Sequence, residues 1–402
     1  MSNTSKTLND VCEFIVDCLH ATAPTQEDGY PLIRTPNIGK GRLILDGVYR
    51  VSEDTYKEWT RRAVPEANDL VLAREAPAGN VAIIKNGQQV CLGQRTVHLR
   101  PNPNQVDPDF LCYFLLTPQQ QGLLLAGETG ATAKHVNMKD IRRLPLKNLP
   151  GIEVQQRMGV ILSTYDDLIE NNRRRIALLE EAARLLYREW FVHLRFPGHE
   201  HVAIKDGVPE GWERMFLPDV IDVNPKTPIE KGREVWYVPM AALSETGMTA
   251  DIGSFERRTK HTNVKFKRHD VLLARITPCL ENGKTGFVYF LQDDEVACGS
   301  TEFIVLRGNR VSAYFAYCLA RSYPFRENAI KSMIGSSGRQ RVQVSCFDEY
   351  GVPLPPKHLL DMFDEIASKN FEQIRVLMAQ NDGLAKARDL LLPRLMNGEI
   401  AV

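Results

Sequence analysis

The chain has 402 residues, room for two ordinary domains plus connecting elements. Its 50 lysines and arginines balance 50 aspartates and glutamates, with 43% hydrophobic and 25% charged residues, which excludes disordered and collagen-like chains. No apolar run nears the roughly 20 residues that span a bilayer and Met1 to Asp10 is polar, so a cytoplasmic protein without a membrane partner is expected.

In chain order, the first segments return later as a second copy. Leu8-Asn-Asp-Val is echoed by Leu217-Pro-Asp-Val, and Asn68-Asp-Leu-Val-Leu-Ala-Arg74 by His269-Asp-Val-Leu-Leu-Ala-Arg275, each followed by a proline, Pro77 or Pro278. Gly93 to Val97 pairs with Gly299 to Phe303, Phe110 to Tyr113 with Tyr314 to Tyr317, Gly127 to Gly130 with Gly335 to Gly338, and Leu144 to Leu146 with Val352 to Leu354. The offset is 209 residues from Leu8 to Leu217 and 201 from Asn68 to His269, so the copies keep their order while carrying small insertions. An ordered series of this kind marks an internal repeat.

Each copy holds short runs rich in β-branched and aromatic residues: Val81 to Ile84 and Thr96 to Leu99, then Gly286 to Phe290 and Phe303 to Leu306. Bounded by Gly, Asn and Pro, they predict strands of a mainly antiparallel module. Pro108 to Leu125 and Val311 to Ile330 carry helical spacing.

After each module the period changes. Apolar positions at Val154, Met158, Ile161, Tyr165, Leu168, Asn172, Ile176, Leu179, Ala183, Leu186 and Trp190 alternate steps of three and four. So do Leu360, Phe363, Ile366, Asn370, Ile374, Leu377, Asn381, Leu384 and Leu391. These are coiled-coil seams of about 38 residues, roughly 57 Å at 1.5 Å per residue. Two such stripes bury each other most economically when packed antiparallel, with Asn172 and Asn381 as polar register-setters. The expected fold is α+β: two repeated β-rich domains, 1–150 and 207–356, separated by two long antiparallel coiled-coil helices, 151–195 and 357–396.

Catalytic signatures are absent. There is no Gly-x-x-x-x-Gly-Lys-Ser/Thr, Gly-x-Gly-x-x-Gly, His-Glu-x-x-His or Gly-x-Ser-x-Gly. Asn224-Pro225 lacks the second proline and aromatic of a base methyltransferase loop and reads as a turn. The eight cysteines are scattered without Cys-x-x-Cys, and the nine histidines lack paired ligand spacing, so buried free thiols, no metal site and no catalytic residue are expected.

What the loops do offer is glycine with hydroxyl, amide and basic side chains, the set suited to phosphate and base-edge contacts. In the first copy the candidates are Arg34, Thr35, Asn37, Lys40, Arg74, Gln94, Arg95, Lys134, His135 and Asn137. In the second they are Arg257, Arg258, Lys260, Arg275, Lys284, Thr301, Arg339, Gln340 and Arg341. An arginine suits guanine O6 and N7, and an amide suits adenine N6 and N7. For Arg74 and Arg275, which close an apolar strand, a structural ion pair is an equal expectation. The basic run 257–268 has no clear counterpart in the first copy, as suits two modules reading different sequences.

With repeat and spacers in place, the chain resembles the specificity subunit of type I restriction-modification systems over essentially its whole length. The carrying residues are Pro209-Glu-Gly-Trp-Glu with Leu217-Pro-Asp-Val, Asp270 to Arg275, Gly335 to Gly338 leading to Val352-Pro-Leu-Pro-Pro356, and the closing Leu390-Leu-Leu-Pro-Arg-Leu-Met-Asn-Gly-Glu-Ile400. The resemblance implies two target-recognition domains, each reading one half of a bipartite double-stranded DNA target. It implies helices that set the spacer and dock methyltransferase (modification) subunits, and a restriction/translocase subunit joining the complex. The chain itself would be non-catalytic and without cofactor, S-adenosylmethionine, ATP and Mg belonging to the partners. A stand-alone DNA methyltransferase and a tandem interaction scaffold that binds no DNA are the competing expectations.

Overall fold

In a computed structural model, residues 6–126, 135–261, 264–336 and 338–402 are described. They fall into two compact units, Met1–Asn171 with Gln380–Val402, and Asn172–Ala379.

The first unit is built on the strand Leu70–Ala73, all four residues of which are buried. Leu70 and Leu72 enter one apolar cluster, Val71 and Ala73 another. An uninterrupted apolar strand requires cover on both faces because successive side chains point to opposite sides. This strand lies inside a five-stranded sheet with the order Cys12–Asp17, Thr96–Pro101, Leu70–Ala73, Val81–Ile83, Gly41–Arg42. A three-stranded sheet, Arg50–Val51, Tyr30–Ile33, Cys91–Leu92, stands beside it.

The second unit repeats the plan. One of its two four-stranded sheets runs Ile221–Val223, Phe303–Gly308, Val271–Ala274, Thr285–Phe287, and the other Glu256–Arg258, Val235–Val238, Val296–Gly299, Val264–Lys267; Val271 and Leu273 again face a different cluster from Leu272. Pairing is mainly antiparallel, but each unit has a parallel pair at equivalent places: Leu32 beside Cys91, and Tyr237 beside Cys298. In both, an aspartate at the start of the central strand takes a two-pronged arginine from its neighbour: Asp69 from Arg100 at 2.8 Å, Asp270 from Arg307 at 2.7 Å. Both β-rich copies also begin alike, with Asp10 and Asp219 accepting from the backbone amides of Thr7 and Phe216.

The two predicted helices of about eighteen residues are each a pair. Pro108–Leu115 and Pro118–Leu125 meet at Thr117, and Ala313–Arg321 and Tyr323–Lys331 meet at Ser322. Pro118 and Pro324 supply no amide to the preceding turn, so each chain segment caps and restarts.

The long helices are Ile152–Tyr187, continued by a π turn Arg188–Val192, and Lys357–Met396. Their buried stripe is displaced by one residue from much of the apolar seam. Leu162, Asp166, Ile169, Glu180 and Tyr187 are buried, whereas Leu168 is 45% exposed; on the second helix Ala367 and Phe371 are buried and Ile366 is 45% exposed. Two of the displaced positions on the first helix are carboxylates held inside by hydrogen bonds. Asp166 accepts from the Tyr113 hydroxyl at 2.5 Å and pairs with Arg388. Glu180 accepts from the Tyr317 hydroxyl at 2.6 Å and the Met248 amide at 2.8 Å. Such polar groups are tolerated inside only because each is satisfied. Within the first unit residue 162 lies in one cluster with 392 and 395 while 166 meets 388; within the second, 179 meets 370 and 187 meets 363. Partners descend as the first helix ascends, so in each unit the helices run antiparallel. Asn172 is buried and Asn381 half-buried.

Candidate nucleic-acid interface

In the first unit the hydrogen bond from the Gly93 amide to the Ile33 carbonyl, 2.8 Å, brings Gln94 beside the Arg34 turn. Arg34 is exposed, with its guanidinium 4.2 Å from the centre of the Tyr49 ring. Thr35 is buried and Asn37 is engaged in the turn, accepting from the Arg34 amide and donating to Ile44. Lys40 is exposed. A second group forms where Arg74 receives the Val136 amide and donates its own amide to Arg95. The Arg74 side chain pairs with Asp17 at 2.7 Å and donates to the Val136 carbonyl at 2.9 Å. Arg95, in the left-handed region at φ 66°, pairs with Glu75 at 3.1 Å. His135 and Asn137 hydrogen-bond to each other at 3.2 Å. Lys134 and the Gly127 to Gly130 segment lie outside the described residues.

In the second unit Arg257 and Arg258 sit on the strand Glu256–Arg258, stacked on Trp236 at 3.7 Å and Tyr237 at 3.3 Å. The Glu256 carboxylate also holds the Arg258 guanidinium above its ordinary pKa. Lys260 is exposed, and Lys284 donates to the Met240 carbonyl at 3.4 Å. Arg275, Thr301, Gln340 and Arg341 come together: the Thr277 amide binds the Gln340 carbonyl, Arg275 donates to the Val342 carbonyl, and Arg341 grips Glu302 with two prongs. Ile334 and Arg341 exchange backbone hydrogen bonds, which hold the exposed Arg339 on a hairpin-like loop. Arg74, Arg95, Arg258 and Arg341 each already hold a carboxylate, which neutralises part of the charge they offer to a new anion.

The geometry is thus one scaffold used twice, with basic loops on both copies. The model of the type I restriction modification DNA specificity domain matches residues 2–181 and again 209–361. The chain belongs to this DNA specificity family. It is 25% identical over 372 residues to the type I restriction enzyme MjaIX specificity subunit of Methanocaldococcus jannaschii, covering 89% of this chain and 83% of that one. It is 32% identical over 154 residues to the EcoEI specificity subunit of Escherichia coli, covering 37% of this chain and 26% of that one. The crystal structure of the type I restriction-modification S subunit from M. genitalium shares the fold, with a TM-score of 0.54 and 14% identity over 98% of this chain and 95% of that one. The repeat here is structural as well as sequential.

Sequence reasoning did not single out Lys226 or Thr227, which line a groove in the second unit with Lys265 of the basic run 257–268, Arg275 and Thr301. The available signal was the Asn224-Pro-Lys-Thr-Pro228 turn itself, a basic and hydroxyl-bearing segment placed between strands. No helix among the described residues is long and apolar enough to cross a membrane.

All eight cysteines are free thiols. Burial pushes Cys18 and Cys91 up to about 12 and raises Cys112 and Cys318 further, which keeps them protonated and unreactive at neutral pH. A maleimide at neutral pH is therefore expected to spare these four in the folded chain and to label them after denaturation. Rapid labelling of Cys91 in the folded chain, read by peptide mass spectrometry, would contradict this.

Proposed function

We propose that this chain is the non-catalytic reading component of a type I restriction-modification complex. Each β-rich unit reads one half of a bipartite double-stranded DNA target, and the two long helices set the unread spacer and dock modification subunits. One observation carries this reading: the scaffold repeats down to its Asp69–Arg100 and Asp270–Arg307 pairs, while the outer segments do not. The helix Glu53–Trp59 of the first unit gives way to the strand Val264–Lys267 in the second. A duplicated frame with unlike loops suits two different half-sites. Docking is supported by apolar side chains that the helical pair leaves exposed, Val160 at 65%, Leu178 at 70% and Leu390 at 72%. Methyl transfer from S-adenosylmethionine and ATP- and Mg-dependent cleavage belong to the partner subunits in this reading, with the complex in the cytoplasm.

A chain of zero formal net charge neutralises phosphates only through local patches, so alone it is expected to bind target DNA weakly. Adding the modification subunit is expected to give tight binding that falls steeply with salt. Titration of labelled target duplex at fixed salt checks this, and equal specific affinity with and without that subunit overturns the docking arrangement.

A further inference from the structure

The two copies differ at one place beside the junction of their sheets. In the first unit the Asp17 carboxylate neutralises Arg74, and the space beside Asp17 is only about 10 Å³, walled in part by Trp59, Arg62 and His98. Strand registers locate the counterparts. Val16 stands opposite His98 in the first unit; in the second, where Thr96–Pro101 is replaced by Phe303–Gly308, the Asn224 amide donates to Val305. The residue after Val16 is Asp17, and the residue after Asn224 is Pro225.

Arg275, the counterpart of Arg74, therefore keeps its main-chain contact, 3.0 Å to the Val342 carbonyl, and loses the carboxylate. Its buried Nε has no hydrogen-bond partner. Where the first unit carries the helix ending at Trp59, the second carries Val264–Lys267, and the space becomes an open groove of about 620 Å³. Asn224, Lys226, Thr227, Lys265, Arg275 and Thr301 contribute to its lining, which contains no acidic residue. Among the described residues Lys226, Lys265 and Arg275 have no ion pair. A guanidinium without a carboxylate and two ammonium groups on the same wall create a field that favours an anion.

We propose that this groove is an anion site and that its occupant is a backbone phosphate of the bound DNA. The proposal rests on the DNA-reading function above. Phosphate oxygens accept charge-assisted hydrogen bonds from arginine and lysine, and hydroxyls such as Thr301 add neutral ones. A free phosphate ion has the same chemistry and differs only in source. Because Asp17 already fills the equivalent place, the first unit lacks the site, so the two half-sites are held by unequal numbers of phosphate contacts.

Pro225→Asp restores in the second unit the carboxylate of the first. The full chain, assembled with its modification subunits, is expected to keep the wild-type melting temperature but to bind target duplex about ten-fold more weakly at moderate salt. The slope of log affinity against log salt is expected to fall by about one. The double variant Lys226→Ala, Lys265→Ala is expected to act in the same direction and decides the matter should Pro225→Asp fail to fold. In both, the loss is expected to be the same for target and non-target duplexes. Unchanged affinity and slope in folded variants overturns the groove while leaving the DNA-reading function intact. A loss confined to one base pair of the target overturns the phosphate in favour of a base edge. Inorganic phosphate that binds the wild-type chain tightly, with no effect of either variant on DNA, marks the site as one for a free anion and likewise overturns the proposal. A wild-type complex that binds no duplex overturns the underlying function as well.

Discussion

Glu180→Ala is expected to destabilise the second unit by about 2 to 5 kcal/mol, a large share of the stability of an ordinary domain. Glu180 is 4% exposed and serves two buried donors, the Tyr317 hydroxyl and the Met248 amide. Removing the carboxylate strands both, at about 1 to 3 kcal/mol each, and leaves a void besides. Glu180→Gln retains an acceptor oxygen and is expected to lose less than half as much. The comparison separates hydrogen bonding from packing: equal losses for the two variants, measured by denaturant unfolding, would show that volume alone matters here. In the first unit Asp166 has the corresponding role toward Tyr113 and Arg388.

Lengthening both long helices by one heptad, after Asn171 and after Ala379, is expected to change the methylated DNA motif in its spacer alone. Seven residues keep the buried stripe close to phase and add about 10 Å of helix. At 3.4 Å per base pair this corresponds to about three more unread base pairs. Both insertions are needed, because the helices run antiparallel within each unit and a single lengthened helix would set one half of its buried residues against the wrong partners. Sequencing of methylated sites in cells carrying the variant reads the outcome. New half-site bases with an unchanged spacer would end the idea that the helices act as a ruler.

The repeat and the central strands were legible because burial on both faces writes a continuous apolar run, as in Leu70–Ala73 and Val271–Ala274. The long helices were legible through their three-and-four period. Their buried face was not, because apolar counting takes Tyr165 and Leu168 where the helix buries Asp166 and Ile169. It cannot anticipate that a tyrosine on another element, Tyr113 or Tyr317, satisfies a carboxylate inside. The helix breaks at Thr117 and Ser322 were written in Pro118 and Pro324, and were overlooked beneath a strong helical spacing. For the interface, residue type located basic loops but carried no information on ion pairing. Arg341 and Arg258 are held by Glu302 and Glu256, whereas Arg275 is not held by any described carboxylate. That distinction depends on Asp17 and Pro225 occupying equivalent places far apart in sequence.

The first unit is assembled from both ends of its sequence, 1–171 and 380–402. Leu392 and Leu395 cover Leu162 and Tyr113, and Arg388 reaches Asp166. A ribosome therefore delivers every residue of the second unit before it delivers the strip that closes the first. Through most of synthesis the earlier-made half carries an uncovered apolar seam and a carboxylate without its arginine, while the later-made half already has all its parts. Birth order and completion order are opposite. The interval between them is when the nascent chain is most open to chaperones, to proteases and to a helix borrowed from another copy.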